Sequence, residues 1–162
     1  MVVDPLGGEI VKRTIGVVVL LGVVLGVVAV AGASSSGNDR VLRSELVGNV
    51  AGTPPIFGVA PAGASWVVAS SDVDVRRDGR VKVKFEGLVL VRDGTTGGNA
   101  SVIASVFCDG ALVASTAPFA LSPEGNGETD TDIGPVPDPC RAPAVFVRPA
   151  RDNPPYFAVT GA

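Results

Sequence analysis

From Asp72 to Arg76, and again from Arg80 to Glu86, polar and apolar residues alternate one for one. Val73 and Val75 stand against Asp72, Asp74 and Arg76; Val81, Val83 and Phe85 stand against Arg80, Lys82, Lys84 and Glu86. A period of two is that of a strand with one buried and one solvated face. Arg77-Asp78-Gly79 between the runs reads as a three-residue loop, with glycine at the left-handed position such loops need. That loop sets a register. Val75 falls opposite Val81 and Val73 opposite Val83, while Asp74 faces Lys82 and Asp72 faces Lys84. A two-residue loop of Asp78-Gly79 would put Val75 against Lys82 and mix the faces. In the first register the charges form a solvated sheet face, each cross-strand pair contributing ~0.2–1 kcal/mol.

Further strands are predicted on both sides of this hairpin. Residues 100–108 and 111–116 flank Asp109-Gly110, a two-residue hairpin signal that sets Phe107 opposite Leu112 and Val106 opposite Val113. Leu88 to Val91 is apolar throughout, as a strand covered from two sides would be. Glu128 to Ile133 alternates charge with Thr and Ile, Ala144 to Val147 is an apolar run, and Tyr156 to Thr160 reads as the last strand. Residues 93–99 and 122–127 are turn-rich, and 134–143 is a proline-rich bend. Residues 41–50 fit a strand or a helical turn equally well. Residues 51–64, with Pro54, Pro55 and Pro61, read as a looping entry with Ile56 to Val59 as an edge piece. About seven to nine short strands with turn signals between them predict an all-β fold, an antiparallel Greek-key β-sandwich, with a small closed barrel as the alternative.

The beginning of the chain follows another pattern. Lys12 and Arg13 precede an uncharged apolar run, Thr14 to Ala33, that closes on Ala29-Val30-Ala31-Gly32-Ala33. A positive flank, an apolar centre and an A-x-A ending are the parts of an export signal. The run exceeds the ~7–15 residues of an ordinary signal centre and approaches the ~20 that span a bilayer. Residues 1–33 are therefore read as a signal peptide or an N-terminal membrane anchor helix, which meets the membrane through residues 14–33 if it is not cleaved. Residues 34–40 are a polar linker and 41–162 the β-sandwich domain. Either reading places that domain outside the cytoplasm, secreted or held at the cytoplasmic membrane. Gly22 and Gly26 make a GxxxG, here read as filler in a Val-rich segment. No cysteine lies directly after the run, which excludes lipoprotein attachment.

Composition narrows the chemistry. About 130 residues follow the leader, enough for one core. Glycine (21) and proline (13) are abundant, which favours short strands and turns over helices. The net charge of −3 gives no basic surface for nucleic acid. Histidine is absent, which removes Ser-His-Asp and Cys-His nucleophile systems, HExxH zinc sites and histidine pH switches together.

Cys108 ends a predicted strand and Cys140 lies in the proline-rich bend. Two cysteines allow one intramolecular connectivity, and export permits it to form. Closing that loop would stabilise the fold by ~3–4 kcal/mol. Two thiols without histidine leave zinc short of ligands, so the expected bridge is structural.

The order PPIFGVAPAGASWVV, VRRDGRVKVKFEGLVL, a strand ending in Cys108, STAPF, PCRAPAVFV and a closing YFAVTG resembles a group of small exported proteins of high-GC, actinobacterial-type bacteria. The likeness covers about residues 52–162. It implies export, one domain and paired cysteines, and it carries no catalytic residue.

Some residues still hold candidate chemistry. Asp130 and Asp132 lie two apart on one strand face, with Glu124, Glu128 and Asp138 nearby. They are weak candidates for calcium or for acid–base hydrolysis, lacking the D-x-[DN]-x-[DN]-G spacing; a solvated acidic strand is the plainer reading. Trp66, Tyr156 and Phe157 offer a sugar-stacking platform or, more simply, core. Asn99-Ala100-Ser101 is a glycosylation sequon. Arg141, Arg148 and Arg151 would suit an anionic envelope polymer or stand as scattered surface arginines. The function expected is non-enzymatic: an exported or surface-tethered domain with an interaction or structural role in the cell envelope and no cofactor. A calcium- or carbohydrate-binding module is second, and a carboxylate hydrolase third.

Overall fold

The structure, a computed structural model, describes residues 39–161. The signal or anchor expected over 1–33, and most of the linker, lie outside these residues. Twelve strands and no helix occur among them. They are β1 (Arg40–Ser44), β2 (Leu46–Gly48), β3 (Trp66–Val67), β4 (Ser70–Arg76), β5 (Arg80–Glu86), β6 (Val89–Leu90), β7 (Ser101–Cys108), β8 (Ala111–Ser115), β9 (Phe119–Ala120), β10 (Gly127–Asp132), β11 (Ala144–Pro149) and β12 (Ala158–Thr160). One sheet has the order β1-β4-β5-β10. A second runs β2-β12-β11-β7-β8, with β9 also on β7, and β3 pairs with β6. Every ladder between strands is antiparallel. The fold is all-β, as the alternation predicts.

The β4–β5 hairpin has the predicted register throughout: Val75 faces Val81, Val73 faces Val83, Asp74 faces Lys82 and Asp72 faces Lys84. Gly79 closes the loop at φ +99°, and a Cβ there would lie 2.2 Å from the Gly134 carbonyl oxygen. Only glycine fits a left-handed turn pressed against another backbone. The ion pairs differ from the expectation. Asp74 binds Arg40 of β1 at 2.7 Å and Asp72 meets Arg43 at 3.5 Å, so β1 arginines rather than the facing lysines hold these acids. Arg40 makes its contact through a single hydrogen bond from Nε.

One segment resolves an open alternative in the sequence reading, and two depart from that reading. Residues 41–50 form β1 and β2. The β7–β8 hairpin pairs Phe107 with Leu112 as predicted, but Val106 faces Ala114 because a bulge leaves Val113 unpaired. In the segment expected to be covered on two sides, Leu88 and Leu90 are buried but Val91 is 63% exposed, just past the end of the two-residue β6. The strand count exceeds the expected seven to nine because β3, β6 and β9 each hold two residues, too few to show a period.

One hydrophobic core draws on both large sheets: Val73, Val75, Val81, Val83 and Phe85 from the first, Val102, Val106, Val145 and Val147 from the second. Alternate residues of the second sheet serve a separate cluster, in which Phe107, Ala144 and Phe146 pack with Val59 and Tyr156. Side chains on one strand point alternately to its two faces, so this cluster marks the sheet's other side. β11 is buried along its whole length as a result. The proline-rich segment crosses that side: Ala62 N–H donates to the Tyr156 carbonyl and Tyr156 N–H to that of Ala60. Buried Asn49 secures its end, donating through Nδ2 to the carbonyls of Ala62 and Ala64.

Candidate binding groove

The proline-rich segment does not cover the sheet completely. At its tip Ile56 and Val59 bond backbone to backbone across a two-residue turn, Phe57-Gly58. Phe57 has φ +50° and Gly58 φ +75°, a geometry in which Asn or Gly is usual and phenylalanine is strained. The Phe57 ring lies 6.1 Å from Phe107 and 6.2 Å from Phe146, centre to centre, and remains 39% exposed. Beside it opens a groove of about 520 Å³. Ile56 and Phe57 form one wall, and Ala142, Pro143 and Ala144 another. Leu42 of β1, Val47 of β2 and Val159 of β12 complete its apolar lining, with Thr160 and Gly161 at one end. None of these residues is charged.

The second wall is anchored by the predicted disulfide. Cys108 and Cys140 are bonded, with Cα atoms 5.1 Å apart. Next to the bridge, Asp109 N–H donates to the Arg141 carbonyl, and Arg141 N–H donates to the Asp109 carboxylate at 3.3 Å. Ala142 follows at φ +45°. Two residue types that rarely adopt a left-handed conformation thus line one apolar groove. Such strain, about 1–3 kcal/mol per residue, persists where surrounding structure over-determines it, and it gathers at ligand sites. The bridge itself is consistent with an oxidising, extracytoplasmic compartment.

The residues singled out in the sequence are placed elsewhere. Asp130 accepts both arms of Arg80, Nε at 2.9 Å and Nη2 at 2.8 Å. Hydrogen bonding by Arg80, more than its charge, holds the Asp130 carboxyl below the ordinary aspartate range. Asp132 accepts from Gly134 N–H at 2.7 Å, closing a turn. Asp138 pairs with Arg77. Glu124 is lowered chiefly by the Ser122 hydroxyl. Among the described residues no three carboxylates or cysteines gather as they would around a metal ion.

The aromatic platform is absorbed into the interior. Trp66 stacks on Phe157 at 4.0 Å, Tyr156 packs edge-on against Phe146 at 5.4 Å, and all are buried. Asn99 of the sequon donates to the Thr96 carbonyl. The three arginines do not form a surface cluster. Arg148 is buried, with Nε and Nη2 donating to the Pro154 carbonyl, and burial lowers its pKa. Arg141 and Arg151 are exposed.

The groove is a candidate site that sequence reasoning missed. Its lining comes from four separated stretches, and the one local sign is a Phe-Gly turn inside a proline-rich segment. Comparison with protein-family models, with curated proteins and with solved structures found no match.

Proposed function

We propose that this chain is an exported or surface-tethered, non-enzymatic domain whose two large sheets face each other as a Greek-key β-sandwich. Its role is to hold a partner in the cell envelope, and its contact surface is the apolar groove beside Phe57. The observation that carries the reading is the coincidence of an uncharged concavity with two strained non-glycine residues on its walls. The disulfide and the signal-like residues 1–33 support export, and the likeness to small exported actinobacterial proteins is part of the same reading. An uncharged lining favours an extended apolar segment of an envelope protein over an ion or a glycan.

The test is a thermal-shift series on the protein recovered from a secreting host. Its ligands are short apolar peptides, calcium and envelope glycans, and Val47→Lys is the control. Val47 is 58% exposed, so a lysine there charges the groove without touching the core. A ligand of the native state raises the melting temperature. Peptides should do so for the wild type and not for the variant. Stabilisation by calcium or glycans alone would overturn the reading in favour of those ligands. Peptide stabilisation that survives Val47→Lys would remove the groove as the site.

A further inference from the structure

The solvated face of the four-stranded sheet carries its charges in columns, one sign predominating on each strand. β1 presents Arg40 and Arg43; β4 presents Asp72 and Asp74, with Arg76 at its end; β5 presents Arg80, Lys82 and Lys84, with Glu86 at its end; β10 presents Glu128, Asp130 and Asp132. The columns therefore run positive, negative, positive, negative across the sheet. An inner acid has cations on both sides: Asp74 binds Arg40 at 2.7 Å and faces Lys82 on β5. The β10 acids have cations on one side only. Asp130 faces Lys82 and Asp132 faces Arg80, and beyond them no strand pairs with β10 among the described residues. At the opposite edge β1 offers the cations that a further column would need.

We propose that β1 of a second copy adds to β10 of the first, joining copies head to tail through a continuous sheet. Three features of the edges fit each other. Successive strands in the sheet are antiparallel, so β1 and β10 run oppositely and the added strand keeps the alternation. A bulge between Arg40 and Leu42 brings Arg40 and Arg43, three apart in sequence, opposite positions two apart on the neighbouring strand, Arg76 and Asp74. That is the spacing of Asp130 and Asp132. The open stretch of β10 is also its acidic end, because the Ala120 carbonyl lies against Gly127 at the other. Arg40 of the incoming copy then meets Asp132, and its Arg43 meets Asp130. Each carboxylate keeps free lone pairs after its bonds to Gly134 and Arg80. The contact uses different surfaces on the two copies, so each pair keeps one edge of each kind unused and the assembly continues past the dimer, as an open chain unless its rotation closes a ring. It is argued from the sheet edges and not from the groove reading, although Leu42 of β1 also lines the groove.

Charged edges also serve to keep strands apart, and the experiment separates the two roles. Sedimentation velocity of the protein recovered from a secreting host should show a mass that keeps rising with concentration near 0.01 M salt. Association should weaken at least roughly tenfold near 1 M, where screening shortens the reach of charge from ~30 to ~3 Å. The double variants Arg40→Glu/Arg43→Glu and Asp130→Lys/Asp132→Lys should each be monomeric alone and should associate when mixed, since each then supplies the sign the other lacks. A variant that fails to fold is bypassed by Arg43→Lys with a zero-length carboxyl–amine cross-linker. β1 and β10 of one copy are separated by three strand spacings, about 14 Å, so a link from position 43 to Asp130 or Asp132 arises only between copies. A monomer at all concentrations in low salt would overturn the proposal. So would a mass that stops at the dimer, a silent mixture of folded variants, or the absence of those links.

Discussion

At the scale of single residues, Phe57 shows a conflict between backbone and side chain. Its ring covers Phe107 and Phe146, while its φ of +50° is one that glycine adopts freely. Replacing it with alanine removes the ring and keeps the strain; replacing it with glycine removes both. Glycine normally destabilises relative to alanine through the unfolded chain, and here the order should invert, Phe57→Gly being the more stable by ~1 kcal/mol. Urea unfolding of the two variants decides it, and an alanine variant at least as stable as the glycine one would mean the turn is not strained. Asp130 carries a pH dependence. Its native pKa is lowered by the Arg80 hydrogen bonds, so its contribution is present above the unfolded value and is lost as pH falls through the native one. Asp130→Asn should therefore flatten the acid limb of stability against pH below the ordinary aspartate range, leaving the neutral region parallel to wild type. An unchanged acid limb in urea midpoints measured across that range would show that the pair does not contribute.

At the scale of elements, legibility followed the length over which one local rule holds. The β4–β5 hairpin could be read to the residue because the alternation from Asp72 to Arg76 on one side and from Arg80 to Glu86 on the other, with a glycine-closed loop, admits one register that keeps valine off the charged face. The β7–β8 hairpin was legible only near its turn, where Asp109 and Gly110 both take positive φ. Beyond it Val113 bulges, and apolar residues on both sides of the bulge left no alternation to reveal the slip. Two-residue ladders such as β3–β6 have no period at all; tertiary contacts fix them, among them the Trp66 stack on Phe157. The burial of Arg148 was hidden for the same kind of reason. Its partner is a backbone carbonyl, Pro154, which leaves no mark in a side-chain pattern. The groove is the extreme case, since its walls meet only after the proline-rich segment has been laid over the second sheet.

At the scale of the whole molecule, the disulfide is the link between stability and the site. Cys108 sits in the core of the large sheet, and Cys140 lies on the bend that leads into Ala142 and Pro143. The closed loop spans a sequence separation of 32, for which chain entropy predicts ~3–4 kcal/mol of stabilisation through the unfolded state. The native ends are also held without the bridge, by the reciprocal Asp109–Arg141 bonds. Removing the bridge should therefore lower stability without moving the groove wall. Cys108→Ser/Cys140→Ser should unfold at lower urea by about that energy, keep the far-ultraviolet spectrum of the wild type, and retain peptide stabilisation below its own melting temperature. If stability falls as expected but peptide stabilisation is lost in the folded variant, the bridge shapes the groove directly and the backbone bonds do not suffice. If stability hardly changes, the loop from Cys108 to Cys140 is already constrained in the unfolded chain, and the entropic account of this bridge fails.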